Sequence, residues 1–331
     1  MQDVQGTRAA FIGGLAAAGA LAANAVPVAA QSITNLNVGT AVDSPTQLPL
    51  YLALTHTFKA QGLNVNLLSF RGDTEVAQAL AGNSIDIALA SSSGLLNLVT
   101  ANQGVIGFYG GFNQADFAWI AQPTIKSWRD MKGKTMGVST FGSLTDLITR
   151  YVLQKNHLVP DQDVQIIQAG GSPSAYQALK AGRLSAAILT APFKWEAQDG
   201  GFTVLGTQAA DVAPNWPKHF YMAKTAMIAE KPEVIIALLR AHVAALRLAR
   251  ADKALGVQTL VDRLKYDPKY AARAYDEAMP SFDERGRVPE KSMPIFWKLV
   301  IAQGIVKAPL PEKDLVDKHF IDTFDAWAPR A

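Results

Sequence analysis

Residues 134–191, KTMGVSTFGSLTDLITRYVLQKNHLVPDQDVQIIQAGGSPSAYQALKAGRLSAAILTA, decide the fold. Three short apolar runs, at 134–140, 164–169 and 185–191, alternate with two stretches of helical period, at 144–157 and 174–182. Strands separated by helical segments at this spacing predict βαβ units and a parallel sheet. The runs are apolar throughout rather than alternating, as expected of strands covered on both faces.

The preceding residues repeat the grammar. LNVGTA at 36–41, VNLLSF at 65–70 and IDIALAS at 85–91 read as strands, with helical stretches at 48–63, 75–82 and 94–104. Sliding Asn64–Ser91 by 99 positions lays it ungapped on Asp163–Thr190, matching strand, glycine and helix order. After about Phe220 the strand pattern stops. Lys231-Pro232-Glu233 opens a long helix, with proline where its missing N–H costs nothing. Further helices follow, divided by Pro268, Pro280, Pro289 and Pro309-Leu310-Pro311. The fold class is α/β, two similar lobes with a helical C-terminal extension packed on the first. Its expected limits are residues 31–121 plus 224–331 for a discontinuous first lobe and 122–223 for the second. The chain crossings are placed near Ala121–Thr124 and His219–Ala226.

Residues 1–30 read as a signal peptide: Arg8 precedes an apolar Ala/Gly-rich run, and Val28-Ala29-Ala30 fits small-x-small cleavage. Thr7-Arg8-Ala9-Ala10-Phe11-Ile12 is similar to a twin-arginine signal with one arginine missing, so the export route stays open. The chain has no cysteine, which excludes disulfides, thiolate nucleophiles and a lipidated-cysteine anchor. A soluble periplasmic monomer is the expectation. Lys+Arg 31 against Asp+Glu 28 is too balanced for a nucleic-acid footprint.

In parallel α/β sheets ligands sit beyond the carboxyl ends of the strands, where helix N-termini present unpaired N–H groups. The turns there carry Ser44 and Gln47; Arg71, Gly72, Asp73 and Thr74; and Ser91, Ser92 and Ser93. The second lobe offers Ser139, Phe141, Gly142 and Ser143, then Gly170-Gly171-Ser172, then Thr190 and Phe193. Hydroxyls and glycines suit a polar or anionic ligand, although each hydroxyl is also an ordinary helix cap. Arg71 is the one cation in these turns, either a partner for an acid or an ion pair with Asp73 or Glu75. Phe141 and Phe193 could wall the ligand. The five histidines show no metal-ligand spacing, and neither a nucleophile elbow, a P-loop nor a dinucleotide fingerprint is present. No metal or cofactor is expected, and no catalytic residue is assigned.

MKGKTMGVSTFGSLTDLITRYVLQKNHLVPDQDVQII at 131–167 resembles the L-K-G-K-x-I-G-V…G-S…L…G-L…D-V stretch of nitrate/sulfonate/taurine-type substrate-binding proteins, the NMT1/thiamine-precursor-like family. QALAGNSIDIALAS at 78–91, QALKAGRLSAAILTAP at 177–192 and EAQDGGFTVL at 196–205 are similar to its later blocks. The resemblance implies the type II periplasmic binding fold, two Rossmann-like lobes joined by a two-stranded hinge. It also implies delivery of a small molecule to an ABC permease. By position it places ligand contacts near Ser44 and Gln47, at Gly72–Thr74 and Ser91–Ser93, and at Ser139, Gly142, Ser143 and the Thr190–Phe193 turn. Ser185-Ala186 and Asn156-His157-Leu158 depart from the family pattern. The favoured ligand is a small organic anion: a sulfonate, a taurine-like compound or a carboxylate. The alternatives are a neutral heterocycle such as a pyrimidine, a sensor with no permease, or a lyase or hydrolase using Asp73 or Glu75 as base.

Overall fold

The computed structural model describes residues 33–330, and the signal-peptide expectation lies outside them. The chain runs β1 (Thr34–Thr40), α1 (Leu48–His56), β2 (Leu63–Ser69), α2 (Asp73–Ala81), β3 (Ile87–Ser91), α3 (Ser92–Thr100) and β4 (Val105–Gln114). It continues through β5 (Ala118–Ala121), β6 (Lys134–Val138), α4 (Leu144–Lys155), β7 (Val164–Gln168), α5 (Ser172–Lys180), β8 (Ala186–Leu189) and α6 (Phe193–Asp199). Then come β9 (Thr203–Thr207), a short α7 (Gln208–Asp211), β10 (Asn215–Lys224), α8 (Thr225–Glu230), α9 (Pro232–Ala251), α10 (Lys253–Leu264), α11 (Pro268–Ala278) and α12 (Met293–Ala302). Short helical turns end the described chain.

There are two five-stranded sheets, ordered β2-β1-β3-β10-β4 and β7-β6-β8-β5-β9. Each begins with three parallel strands, the βαβ part that the sequence predicts. Each is then completed by a strand exchanged from the other half of the chain. β10 runs antiparallel between β3 and β4, and β5 runs antiparallel between β8 and β9.

This exchange corrects the expected crossings. The chain changes sheet between Gln114 and Ala118 and again between Thr207 and Asn215, earlier than Ala121–Thr124 and His219–Ala226. AWIA at 118–121 and FYMA at 220–223 are apolar strands whichever sheet they join, and periodicity cannot say which one accepts them.

The long helix α9 begins at Pro232 and buries Ile235, Leu238, Leu239, Val243 and Leu246. It packs along α1, with Thr57 Oγ1 donating to the Ala241 carbonyl at 2.8 Å. Each such leucine or isoleucine, fully buried, contributes about 1.5–3 kcal/mol. The tail thus packs on the first lobe, but not only there. Gln303, at the end of α12, donates to the Leu147 carbonyl in α4 at 2.6 Å, tying the tail to the second lobe. Among the described residues no helix is long and apolar enough to cross a membrane.

His242 on α9 is buried against Tyr221 on β10, Nδ1 to hydroxyl 2.9 Å, and burial pushes its pKa down to about 4. The unfolded chain binds this proton below about pH 6.5, whereas the folded chain refuses it until about pH 4. The stabilisation is complete above the unfolded value and is lost as pH falls through that window, at about 1.4 kcal/mol per pH unit. Urea melts at pH 7 and pH 4.5 should show this loss, and His242→Gln should flatten the slope. An equal slope in both proteins would show that the histidine does not carry it.

Candidate functional site

The two rows of strand carboxyl ends face each other across a seam, and the turns that follow them are held by their own hydroxyls. Ser44 caps a single 3-10 turn, Pro45–Gln47, and its N–H and hydroxyl donate to Gln47 Oε1 at 3.0 and 2.7 Å. Ser91 caps α3, receiving the Gly94 N–H at 3.3 Å and sharing a 2.8 Å hydrogen bond with Ser93. Ser143 caps α4 and is linked to Ser139 and Thr145, each within 2.9 Å. Ser172 accepts the Thr190 N–H at 3.0 Å. These turns do the capping work that their residue types suggest, and the same bonds fix their geometry.

Between them lies a cavity of about 50 Å³ with walls from both lobes. From the first lobe Ser44, Gln47, Gly72, Asp73 and Ser91 line it; from the second, Ser139 and Thr190 do. Asp73, only 6% exposed, opens α2 and bridges the lobes. Its Oδ1 accepts the Ser91 N–H at 2.9 Å, and its Oδ2 accepts the Leu144 N–H at 3.1 Å.

The other expected residues lie elsewhere. Arg71 does not line this cavity: its side chain is 80% exposed and pairs with Glu75 one turn along α2, Nη2 to Oε1 2.6 Å. The i, i+4 spacing favours that pair, and Glu75 holds the guanidinium pKa above its ordinary value. Thr74, Phe141 and Gly142 form the seam instead. Thr74 Oγ1 donates to the Phe141 carbonyl at 2.8 Å, and Asn97 Nδ2 donates to that of Gly142 at 3.1 Å. The Phe141 ring is 46% exposed and walls nothing. Phe193 is drawn into packing with Tyr176 and Tyr266, ring centres 5.7 and 5.9 Å away. Ser143 lies in the hydroxyl network behind the wall. Ser92 is buried, and its Oγ has no hydrogen-bond partner among the described residues.

The Gly170–Ser172 turn read from the sequence lines the cavity too, as do residues not foreseen there: Thr145, Phe117, Lys218 and His219. Lys218 on β10 is 4% exposed and pairs with Asp116, 6% exposed, in the β4–β5 crossing. Its ammonium lies 4.5 Å from the Phe117 ring centre and 5.4 Å from that of Phe112. Burial lowers the lysine pKa, and the Asp116 carboxylate opposes that shift. The imidazole of His219 is driven well below its ordinary value, first by burial and then by the Lys218 charge, and its Nδ1 has no partner among the described residues. Beneath this pair Lys194 donates to the Asp116 carbonyl at 2.9 Å and to Glu277 on α11. The signal is present in NWPKHFYMAK, but two basic residues interrupt its apolar run and mask the strand.

The family described as NMT1/THI5 like matches residues 44–253, a span that includes every strand of both sheets except β1. The chain belongs to the NMT1/THI5-like family. Among curated proteins, this NMT1/THI5-like chain is 28% identical over 144 residues to YtlA of Bacillus subtilis, which is named as a binding protein. That alignment takes in 42% of the chain and 43% of YtlA, less than half the length of either. Among solved structures, a Bordetella bronchiseptica RB50 protein superposes with a TM-score of 0.77 at 22% identity, covering 88% of this chain and 97% of its own. The alkanesulfonate-binding protein SsuA of Xanthomonas axonopodis pv. citri, bound to MOPS, superposes at 0.68 with 19% identity, covering 87% and 99%. At these identities the solved structures establish the fold, the two-lobed periplasmic binding protein architecture with its helical C-terminal part.

Proposed function

We propose that this NMT1/THI5-like protein is the periplasmic solute-binding component of an ABC importer. It captures a small organic acid between its lobes and releases it unchanged to a permease. The observation that carries this reading is the cavity walled by turns of both lobes. A ligand that touches both lobes favours closure by its differential affinity for the closed form. The Lys218 ammonium and the first turn of α5, beginning at Ser172, supply positive potential toward an acid group. Phe141 is exposed and Phe193 is packed elsewhere, so neither ring expected to hold a heterocycle walls the cavity, and Phe117 is, among the described residues, the one phenyl ring on its wall. Asp73 and Glu75, the bases of an enzymatic reading, are engaged by two backbone N–H groups and by Arg71 respectively.

The test is a thermal-shift panel of sulfonates, carboxylates, nitrate and pyrimidines, followed by recovery of whichever ligand binds. An organic acid at a hundred times its dissociation constant should add about 2.7 kcal/mol of stability and be recovered intact. Chemical conversion of the ligand, or a shift confined to pyrimidines, would overturn the reading.

A further inference from the structure

The N-termini of α3 and α4 meet at one point of the cavity wall, one from each lobe, and a side chain of the protein already fills the place. Asp73 accepts the Ser91 N–H that leads into α3 and the Leu144 N–H of the first turn of α4, one carboxylate oxygen to each. Gly94 makes room for it, since a Cβ there would stand 3.2 Å from the Asp73 Cβ. These are the donors that a bare anion would use. A carboxylate has about four acceptor positions, of which the two backbone donors occupy two, and Asp73 lines the cavity.

We propose that Asp73 is a specificity-determining residue. Its carboxylate stands in for a ligand anion at the joined helix N-termini, so the cavity selects acids that also carry a hydrogen-bond donor, above all an ammonium group, and rejects bare oxyanions. The acid end is left to the α5 turn and Lys218, which line the same cavity. This rests on the reading of the cavity as the ligand site and narrows its ligand class.

The test uses matched pairs that differ by one amino group, β-alanine with propionate and taurine with ethanesulfonate, together with nitrate and sulfate. Binding to wild type, Asp73→Asn and Asp73→Ser is measured by calorimetry. Wild type should bind the amine-bearing member of a pair about tenfold tighter or more, the value of one hydrogen bond to a charged group, and should ignore nitrate and sulfate. Asp73→Asn should erase most of that ratio, and Asp73→Ser should open the place to nitrate or sulfate. Asp73 also joins the lobes, and a purely structural role would weaken every ligand equally and leave the ratios unchanged. Unchanged ratios in both variants, or wild type binding the bare acid as well as its amine partner, overturn the proposal while the binding reading stands. If wild type binds no member of the panel, the small-acid reading itself fails, and the proposal with it.

Discussion

Gly72→Val is expected to weaken ligand binding sharply while leaving the unliganded protein folded, because the added side chain collides only when the lobes are shut. Gly72 has extended backbone angles, φ 174° and ψ 176°, which any residue adopts, so valine brings no backbone strain. A Cβ at this position would stand 2.5 Å from Thr140 Oγ1, 2.9 Å from its Cγ2 and 3.2 Å from its Cβ. Gly72 belongs to the first lobe, after β2, and Thr140 to the second, after β6. Thr140 is buried and β-branched, so it has little room to turn aside. Overpacking of this kind costs about 1–3 kcal/mol, here charged to the closed state alone. Apparent affinity should then fall by roughly 5- to 150-fold, with valine near the upper end. Calorimetry gives the affinity, and scattering shows whether ligand still compacts the particle. Adding Thr140→Gly should restore both, which separates a collision across the seam from intrusion into the cavity. Wild-type binding by Gly72→Val would mean that the binding form does not close at this seam.

The same geometry shows how far the sequence could be read. The six strands β1–β3 and β6–β8 were legible because within each set one strand is joined to the next through a helix, and the switch between the two periods is written in the chain. The other four were not: β4 and β9, at the far edge of each sheet, and the antiparallel β10 and β5 that each sheet takes from the other half of the chain. β4 carries Gly107, Gly110 and Gly111, which interrupt strand propensity, and β5 and β10 have no crossover helix to announce them. The exchanged strands set the crossings, so an error about them became an error about the domain limits. The site divides along the same line. Turns that follow parallel strands, such as Ser44, Gly72, Asp73, Ser139 and Thr190, stand out from residue type and position alone, and the fold gathers them around one cavity. Lys218 and His219 lie on an antiparallel strand that periodicity does not reveal, and they were missed. Arg71 stood out for its charge, but a charge in a turn does not specify a direction, and the helical spacing to Glu75 turned it to solvent.

Lys218 itself gives the largest expected effect on stability. Its pair with Asp116 is inaccessible on both sides, and no other side chain among the described residues donates to the Asp116 carboxylate. Lys218→Met therefore leaves a carboxylate buried without a partner, at a cost of about 3–5 kcal/mol. The aromatic contacts with Phe112 and Phe117 do not offset this, because they serve the cation and not the acid. Replacing both residues, Lys218→Met with Asp116→Leu, should recover most of the loss, since a buried pair exchanged for apolar groups of similar size is often close to neutral. Binding should not recover with it. The double variant keeps its fold but has lost the one lysine on the cavity wall, so its affinity for organic acids should stay depressed even where its melting temperature matches wild type. Chemical denaturation of the single and double variants, run beside calorimetry on each, reads the two quantities separately. A single variant costing less than about 1 kcal/mol would show that the pair is hydrated. A double variant that binds acids as wild type does would place the acid group away from β10.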